Sequence, residues 1–457
     1  MYNHTKGFAI GKRLAEWSLR QGDLAQALIR WQEVLELAAT ADQQVEALIG
    51  LHHSTWTIDP EQAKQYLTKA LRVCENAGLP KATQGRLEQL LGITCRSLGQ
   101  FQEAVTWYER CRATAKKIGE EGAWLYAEAL NSQGYVYALI GDYEKGNTLV
   151  SHALDFRQRC YQQATGPKRA VWRAAVGYSY STRGEIARFS GEFRLADAFY
   201  HEAMKIFREL RDQEWQALVL QQQGENARRI AWKHRKRHED ERAGNWFELA
   251  ESYLMESKKL YEHYNLSRDR SRMLRRLARV VRDQGRFTEA EFLFHKSYEL
   301  ALDTKAIQEQ LECLIDLAGI AIEKGDFDKI DGYLDQIMCL KGKAHLYPVF
   351  EALAYLVRGD VFYAQHRWAE ALKEYSSGFV ELGRIGGYGH AHLTDRLDRL
   401  PVHLDGLPDT ETKLKWCRHL IETWNREGLE EKFPKLTELC SHYEEIMVFL
   451  SEGGVIT

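Results

Sequence analysis

The residues best suited to chemistry in this 457-residue chain are four arginines spaced by three, four and three positions: Arg272, Arg275, Arg279 and Arg282. On a helix this spacing places all four on one face. They belong to a strongly basic stretch, since residues 268–286 hold eight arginines and two aspartates. Guanidinium groups bind carboxylate and phosphate through paired hydrogen bonds. The spacing therefore favours a binding surface for an anionic partner.

Sequence motifs of catalysis are absent. The chain has no GxxxxGK[ST] phosphate loop, and no GxSxG, HExxH or GxGxxG in a supporting context. His390, His392, Asp395 and Asp398 contain metal-ligand types, but residues two apart do not share a helical face. We therefore expect no enzyme activity, no cofactor and no metal site.

Composition limits the class of protein. The net charge of −3 gives the whole molecule no general affinity for nucleic acid, so nucleic acid is an unfavoured partner. The eight cysteines are scattered without a CxxC pair, which indicates a reducing environment inside the cell. The sequence contains neither an apolar run long enough for a membrane span nor a signal-peptide core. We expect a cytoplasmic protein without a membrane span.

A short repeated phrase predicts the elements that position the arginines. It reads GQFQEA at 99–104, GDYEKG at 141–146, GEFRLA at 191–196, GRFTEA at 285–290 and GDFDKI at 325–330. Its last residue marks a register that recurs every 36 to 54 positions, mostly near 40. Small residues recur seven after and twelve before each mark, and large apolar residues recur four after it. These offsets place them on the packed faces of paired helices.

This pattern resembles the tetratricopeptide repeat, a helix-turn-helix unit of about 34 residues. The resemblance covers residues 7 to about 385 in nine units, of which the second is degenerate, with Asp59 and Pro60 at its turn. It implies an all-α, right-handed superhelical solenoid of about nine helical hairpins over residues 1–385. A C-terminal helical capping bundle is expected over residues 386–457, with helices near 391–399, 410–426 and 429–450.

The resemblance also implies which residues face the concave groove, because the first helix of each unit lines it. The corresponding positions are Arg188, Gln221, Glu225, Arg228, Arg272, Arg275, Arg279 and Arg282. One interpretation is that these arginines capture an acidic or phosphate-bearing partner. The alternative is that acids of the same chain, such as Glu185, Glu225 and Glu312, neutralise them. Both hypotheses stay open on the sequence.

Two intervals of the register are longer than their neighbours. The interval from Ala196 to Ala250 exceeds the usual length by about two helical turns for each helix of a hairpin. It predicts one long hairpin with a charged tip at 233–242. We expect this hairpin, between Arg228 and Ala250, to project beyond the array and to be dispensable for folding; a docking role for its tip is the alternative. The interval from Gly146 to Ala196 is expected to lengthen the helices on either side of residues 165–167.

A period near 40 resembles the elongated repeats of bacterial STAND proteins (signal transduction ATPases with numerous domains). Together with a repeat that begins almost at Met1, it predicts a ligand-sensing, protein-interaction arm of a larger signalling protein. Partners would then be acidic proteins or peptides, or effector and ATPase domains of that protein. The alternatives are a stand-alone scaffold that bridges proteins, or a nucleic-acid binder that uses the same groove.

Overall fold

A computed structural model describes residues 2–20, 23–56, 58–264, 267–341, 348–385, 396–397, 400–430 and 435–451. Within these ranges the regular elements are α-helices and one short 3-10 turn, Gly119–Gly122, and no strand occurs. The chain divides into two compact units, residues 1–310 and 311–457. The all-α repeat fold is confirmed, and the predicted boundary at residue 385 stays a prediction.

The first unit is a series of helical hairpins, in which each helix packs on the next along the chain. Its helices are α1 (Tyr2–Arg20), α2 (Leu24–Glu36), α3 (Ala41–Thr55), α4 (Pro60–Asn76), α5 (Lys81–Ser97), α6 (Phe101–Ile118), α7 (Ala123–Leu139), α8 (Tyr143–Gln163), α9 (Pro167–Phe189), α10 (Phe193–Glu209), α11 (Gln213–Arg235), α12 (Asp240–Tyr264), α13 (Ser267–Asp283) and α14 (Phe287–Asp303). The first helices of successive hairpins also contact each other, from α5 to α13.

The second unit continues the helical pattern. Its helices are α15 (Ile307–Lys324, which begins in the first unit), α16 (Phe327–Lys341), α17 (Pro348–Ala364), α18 (Trp368–Ile385), α19 (Leu400–Asp405), α20 (Thr410–Arg426) and α21 (Lys435–Ser451). Helix α20 has the bounds that the sequence predicts, and it contacts α18. Cys417, Leu420 and Trp424 of its apolar stripe are buried, as expected of a capping helix.

The repeated phrase forms the turn between the two helices of a hairpin. Gly191 and Gly285 adopt φ angles of 80° and 83°, a left-handed conformation that glycine reaches without steric cost. The residue after the glycine then donates its N–H back to the first helix, from Glu192 to the carbonyl of Ala187 over 2.8 Å. In the degenerate second unit, Asp59 instead caps α4 by accepting the N–H of Gln62.

Small and large residues meet inside each hairpin as the register predicts. Gly92 lies against the buried ring of Tyr108, and a Cβ atom added at Gly92 would lie 2.6 Å from that ring. A side chain at position 92 therefore has no room unless the two helices separate.

Replacing Gly92 by alanine is expected to destabilise the protein by about 1–3 kcal/mol, because the new methyl group overpacks the hairpin. The matched control is Gly244→Ala in α12, where nothing lies within 4 Å of the added Cβ. That variant should be neutral or slightly more stable, since alanine favours a helix interior. Thermal melts followed by circular dichroism provide the measurement. Equal melting temperatures for the two variants would contradict the packing.

The longer intervals lengthen helices as expected. Helices α8 and α9 have 21 and 23 residues and α11 and α12 have 23 and 25, whereas α13 and α14 have 17 each. The excess of α11 and α12 over α13 and α14 accounts for the added length of the interval from Ala196 to Ala250.

The base of the long hairpin contacts α13, so we expect only the tip to be dispensable for folding; dispensability itself stays a prediction. Trp232 donates to the carboxylate of Asp283 in α13 over 2.7 Å, and Arg235 donates to the backbone carbonyl of Asp283 over 2.6 Å. Ala231, Ala243 and Phe247 are almost fully buried. The spacing within the long hairpin does not reveal this anchor, because the contact partner belongs to the next hairpin along the chain. The tip residues 236–238 and 240–242 are exposed.

Two features that are absent from the described residues bear on function. None of the described helices combines the length and apolar character needed to cross a membrane. The same residues contain no group of three or more His, Cys, Asp or Glu side chains placed to hold a metal ion. The four residues that the sequence offered as metal ligands lie outside the described residues: His390, His392, Asp395 and Asp398.

Candidate functional site

Three neighbouring first helices, α9, α11 and α13, bring most of the predicted groove residues together. We call the resulting group the arginine cluster: Glu185 and Arg188 of α9, Glu225, Arg228 and Arg229 of α11, and Arg272, Arg276, Arg282 and Asp283 of α13. It combines closely spaced charges of both signs, and most of them are at least partly buried.

On α9, Glu185 and Arg188 form an ion pair one helical turn apart, with Arg188 Nη2 2.8 Å from Glu185 Oε2. Tyr200 of α10 donates its hydroxyl to the other carboxylate oxygen over 2.6 Å. Burial alone would raise the pKa of Glu185, but the charge of Arg188 and these hydrogen bonds hold that pKa below its ordinary value. Glu185 is therefore ionised and engaged.

On α11, Glu225 accepts hydrogen bonds from Arg228 over 3.2 Å and from Arg229 over 3.1 Å. Burial opposes its charge, yet Arg228 and Arg229, with Arg188 and Arg276, hold the pKa of Glu225 well below its usual range. The side chain is 12 % exposed, so these charges are poorly screened by water.

Asp283, the last residue of α13, joins this helix to α11 of the long hairpin. Its Oδ2 atom accepts from Arg228 Nε over 2.6 Å and from Trp232 Nε1 over 2.7 Å, and Oδ1 lies 3.2 Å from Arg282 Nη2. The carboxylate is 2 % exposed. Burial would raise its pKa, but Arg228 and Arg282 lower the pKa of Asp283 below its ordinary value.

Arg276 differs from the other arginines of the cluster. Its Nη1 atom is buried and has no hydrogen-bond partner within the described part of the chain. Burial lowers the pKa of Arg276, and attraction by Glu225 and Glu185 offsets this only in part. Both acids already bind other arginines. The cluster therefore contains a desolvated N–H group directed at no acceptor among the described residues.

The remaining predicted residues lie on the same helices. Arg272 forms an ion pair with Glu309 at 3.0 Å. Gln221 of α11 is 1 % exposed, and its Oε1 atom has no partner in the described ranges. Arg275 is buried and Arg279 is half-buried on α13.

The hypothesis of internal neutralisation is confirmed for two of the acids named from the sequence, since Glu185 binds Arg188 and Glu225 binds Arg228. Glu312, the third, belongs to the second unit. Glu185, Glu225 and Asp283 lie close to five guanidinium groups, those of Arg188, Arg228, Arg229, Arg276 and Arg282.

Sequence reasoning missed Arg276 and Asp283, although a signal for both was present. Arg276 follows Arg272 by four positions and precedes Arg279 by three, so it shares their face. Asp283 follows Arg279 by four positions. The groove positions implied by the repeat register include about one residue per helical turn of α13, and Arg276 and Asp283 are not among them.

The helical hairpins, their glycine turns and the pairing of small with large residues define a helical-repeat protein with a cluster of charges on neighbouring first helices. Residues 47–117 match the family model of the tetratricopeptide repeat. This match confirms the predicted tetratricopeptide repeat over residues 47–117. No curated protein matches the chain.

Several solved structures are similar at low identity. One is the Rap conjugation gene regulator of plasmid pLS20 in complex with the Phr* peptide, with 16% identity, a TM-score of 0.48 and coverage of 81% of this chain and 96% of that one. Another is a Rap protein complexed with Competence and Sporulation Factor, with 12% identity, a TM-score of 0.47 and coverage of 87% and 99%. A third is a STAND protein with a tetratricopeptide repeat sensor from Pyrococcus horikoshii, with 12% identity, a TM-score of 0.45 and coverage of 88% and 54%.

Proposed function

We propose that this chain is a non-catalytic protein-interaction module that binds an acidic segment of a partner at the arginine cluster. The observation that carries the proposal is Arg276, whose buried Nη1 atom lacks a hydrogen-bond partner in the described structure. A buried donor without an acceptor destabilises a protein. A carboxylate supplied by a partner would accept this hydrogen bond and stabilise the buried charge of Arg276.

The charge arrangement supports an acidic rather than a neutral partner. Glu185, Glu225 and Asp283 are each bonded to an arginine and have depressed pKa values, so they remain anionic and engaged at neutral pH. Arg276 and Arg229 bring further positive charge to Glu225. Arginine binds carboxylates through two parallel hydrogen bonds, which gives both affinity and orientation.

The wider role that we propose is a sensing arm of a larger STAND-type signalling protein. Support comes from the period of the register, which is longer than that of the standard tetratricopeptide unit, as in the elongated repeats of that class. In such an arm, binding at the cluster would change the balance between active and inactive arrangements of effector domains.

The test is binding of a fluorescein-labelled octaglutamate peptide to the full chain, followed by fluorescence anisotropy at low salt. Arg276→Met should weaken binding about tenfold or more, because one charge-assisted contact is lost. The same variant should be as stable as the parent or more stable, since an apolar side chain replaces a buried, incompletely paired charge. Arg286→Met is the matched control, because it removes one arginine from the exposed α13–α14 turn.

Reduced stability of Arg276→Met with unchanged affinity for the octaglutamate peptide would contradict the proposal. Arg276 would then serve only to stabilise Glu185 and Glu225. An equal loss of affinity in Arg286→Met would also contradict it, because the peptide would then respond to net charge rather than to the cluster.

A further inference from the structure

A concave surface lies in the first unit beside the long hairpin. It is a cleft of about 930 Å³ between the α9–α10 turn and the α11–α12 hairpin. Its lining includes Phe193 and Arg194 on one side and Lys233, Arg237, Arg242 and Trp246 on the other. None of these residues belongs to the arginine cluster, so the cleft is a separate site.

The extra length of α11 and α12 creates one wall of this cleft. The α9–α10 turn is fixed to α11, because Asn226 Nδ2 donates to the backbone carbonyl of Phe193 over 3.0 Å. Beyond this contact α11 continues past the turn, and the Nζ atom of Lys233 lies 5.9 Å from the centre of the Phe193 ring. The hairpin tip is closed by Glu239, which lies 2.6 Å from His234 Nδ1 and 3.1 Å from Arg242 Nη1.

The cleft has a cationic rim and an apolar floor. The side chains of Arg194, Lys233 and Arg237 form no salt bridge or hydrogen bond with any residue that the structure describes. The lining also contains the acids Glu192 and Asp197. Burial raises the pKa of Asp197, with His201 offsetting part of the effect. Four lysine and arginine side chains line the cleft, namely Arg194, Lys233, Arg237 and Arg242, and they outnumber these two acids.

The floor sets a second requirement on the occupant. Phe193, Ile230 and Trp246 line the cleft, and Ile230 is buried within it. A ligand with charged groups alone would not bury this apolar surface, and so would not gain the free energy of removing it from water. The volume lies within the range of ligand-binding clefts, of roughly 300–1,000 Å³, and excludes a folded domain.

We infer that this cleft binds an acidic peptide segment that carries an aliphatic or aromatic side chain between its carboxylates. The apolar side chain packs on Phe193 and Trp246, and the flanking carboxylates meet Arg194, Lys233 and Arg237. The site is independent of the arginine cluster and does not rest on the function proposed for it.

The test compares three fluorescein-labelled probes on the full chain: hexaglutamate, a glutamate hexapeptide with one central leucine, and the same peptide with lysines in place of glutamates. The leucine-containing acidic peptide should bind best and the lysine peptide should not bind. Lys233→Glu with Arg237→Glu should weaken the best probe at least about tenfold. Both side chains are exposed, so the fold should persist.

The matched control is Lys205→Glu with Arg208→Glu, which makes the same charge change on the exposed surface of α10 outside the cleft. This variant should bind the leucine-containing peptide nearly as well as the parent. Equal weakening in the α10 control, or equal affinity for hexaglutamate and the leucine-containing peptide, would overturn the inference. Loss of leucine-peptide binding in Arg276→Met alone would overturn it too, because this peptide would then belong to the arginine cluster.

Discussion

Asp283→Ala is expected to lower the free energy of unfolding by about 3–5 kcal/mol, as is typical when one partner of a buried ion pair is removed. The carboxylate is almost fully buried and accepts hydrogen bonds from Arg228 and Trp232. Alanine would remove the acceptor of Arg228 Nε, leaving Arg228 with Glu225 alone, and the acceptor of the partly buried Trp232 N–H. Chemical denaturation followed by circular dichroism measures the difference.

The control for this variant is Asp303→Ala. Asp303 ends α14 as Asp283 ends α13, and both helices have 17 residues, but Asp303 is exposed. Its replacement should change the unfolding free energy by no more than about 0.5 kcal/mol. If the two variants were equally stable, Asp283 would not hold the long hairpin to α13.

Acid is expected to destabilise the first unit strongly. Glu185, Glu225 and Asp283 have folded-state pKa values below their ordinary values, mainly because arginines outweigh the cost of burial. A depressed folded-state pKa contributes stability that is present above the unfolded-state pKa, about 4 for these groups. This stability is lost as the pH falls below about 4 towards the lower folded-state values. A pKa lowered by one corresponds to about 1.4 kcal/mol.

Urea midpoints measured between pH 6 and pH 3 test this expectation. The midpoint should be nearly constant down to about pH 5 and then fall steeply. Glu225→Gln should be less stable at pH 6 and should lose less on acidification, since one titrating group is gone. Glu289→Gln, which alters an exposed carboxylate, should follow the parent curve. If the urea midpoint of the parent were the same at pH 6 and pH 3, the pKa values of Glu185, Glu225 and Asp283 would not be lowered by folding.

The helical hairpins were predicted well because their determinants are local. The turn glycines such as Gly191 and Gly285, the cap at Asp59 and the pairing of Gly92 with Tyr108 all act within a single hairpin. The division of the added residues between α11 and α12 also followed from spacing alone. Such features depend on backbone geometry and on the helical period, which a single sequence displays directly.

The charged site was predicted only in outline. Helical spacing identified the arginine face of α13, but the partners of each arginine depend on how neighbouring hairpins stack. Arg228 meets Asp283 from 55 positions away, and no periodicity within one helix encodes that contact. The same reason explains why the long hairpin looked dispensable: its anchor, Asp283, belongs to the next hairpin along the chain.

The graded helix lengths have a consequence for how such a protein can change. Relative to the 17-residue α13 and α14, the pair α8 and α9 is longer by about three helical turns in total, and the pair α11 and α12 by about four. Additions in whole turns deepen a cleft wall while the residues at its base keep their neighbours. Natural variation or protein engineering can therefore change the length of the α11–α12 hairpin without changing the ion pair between Arg228 and Asp283 at its base.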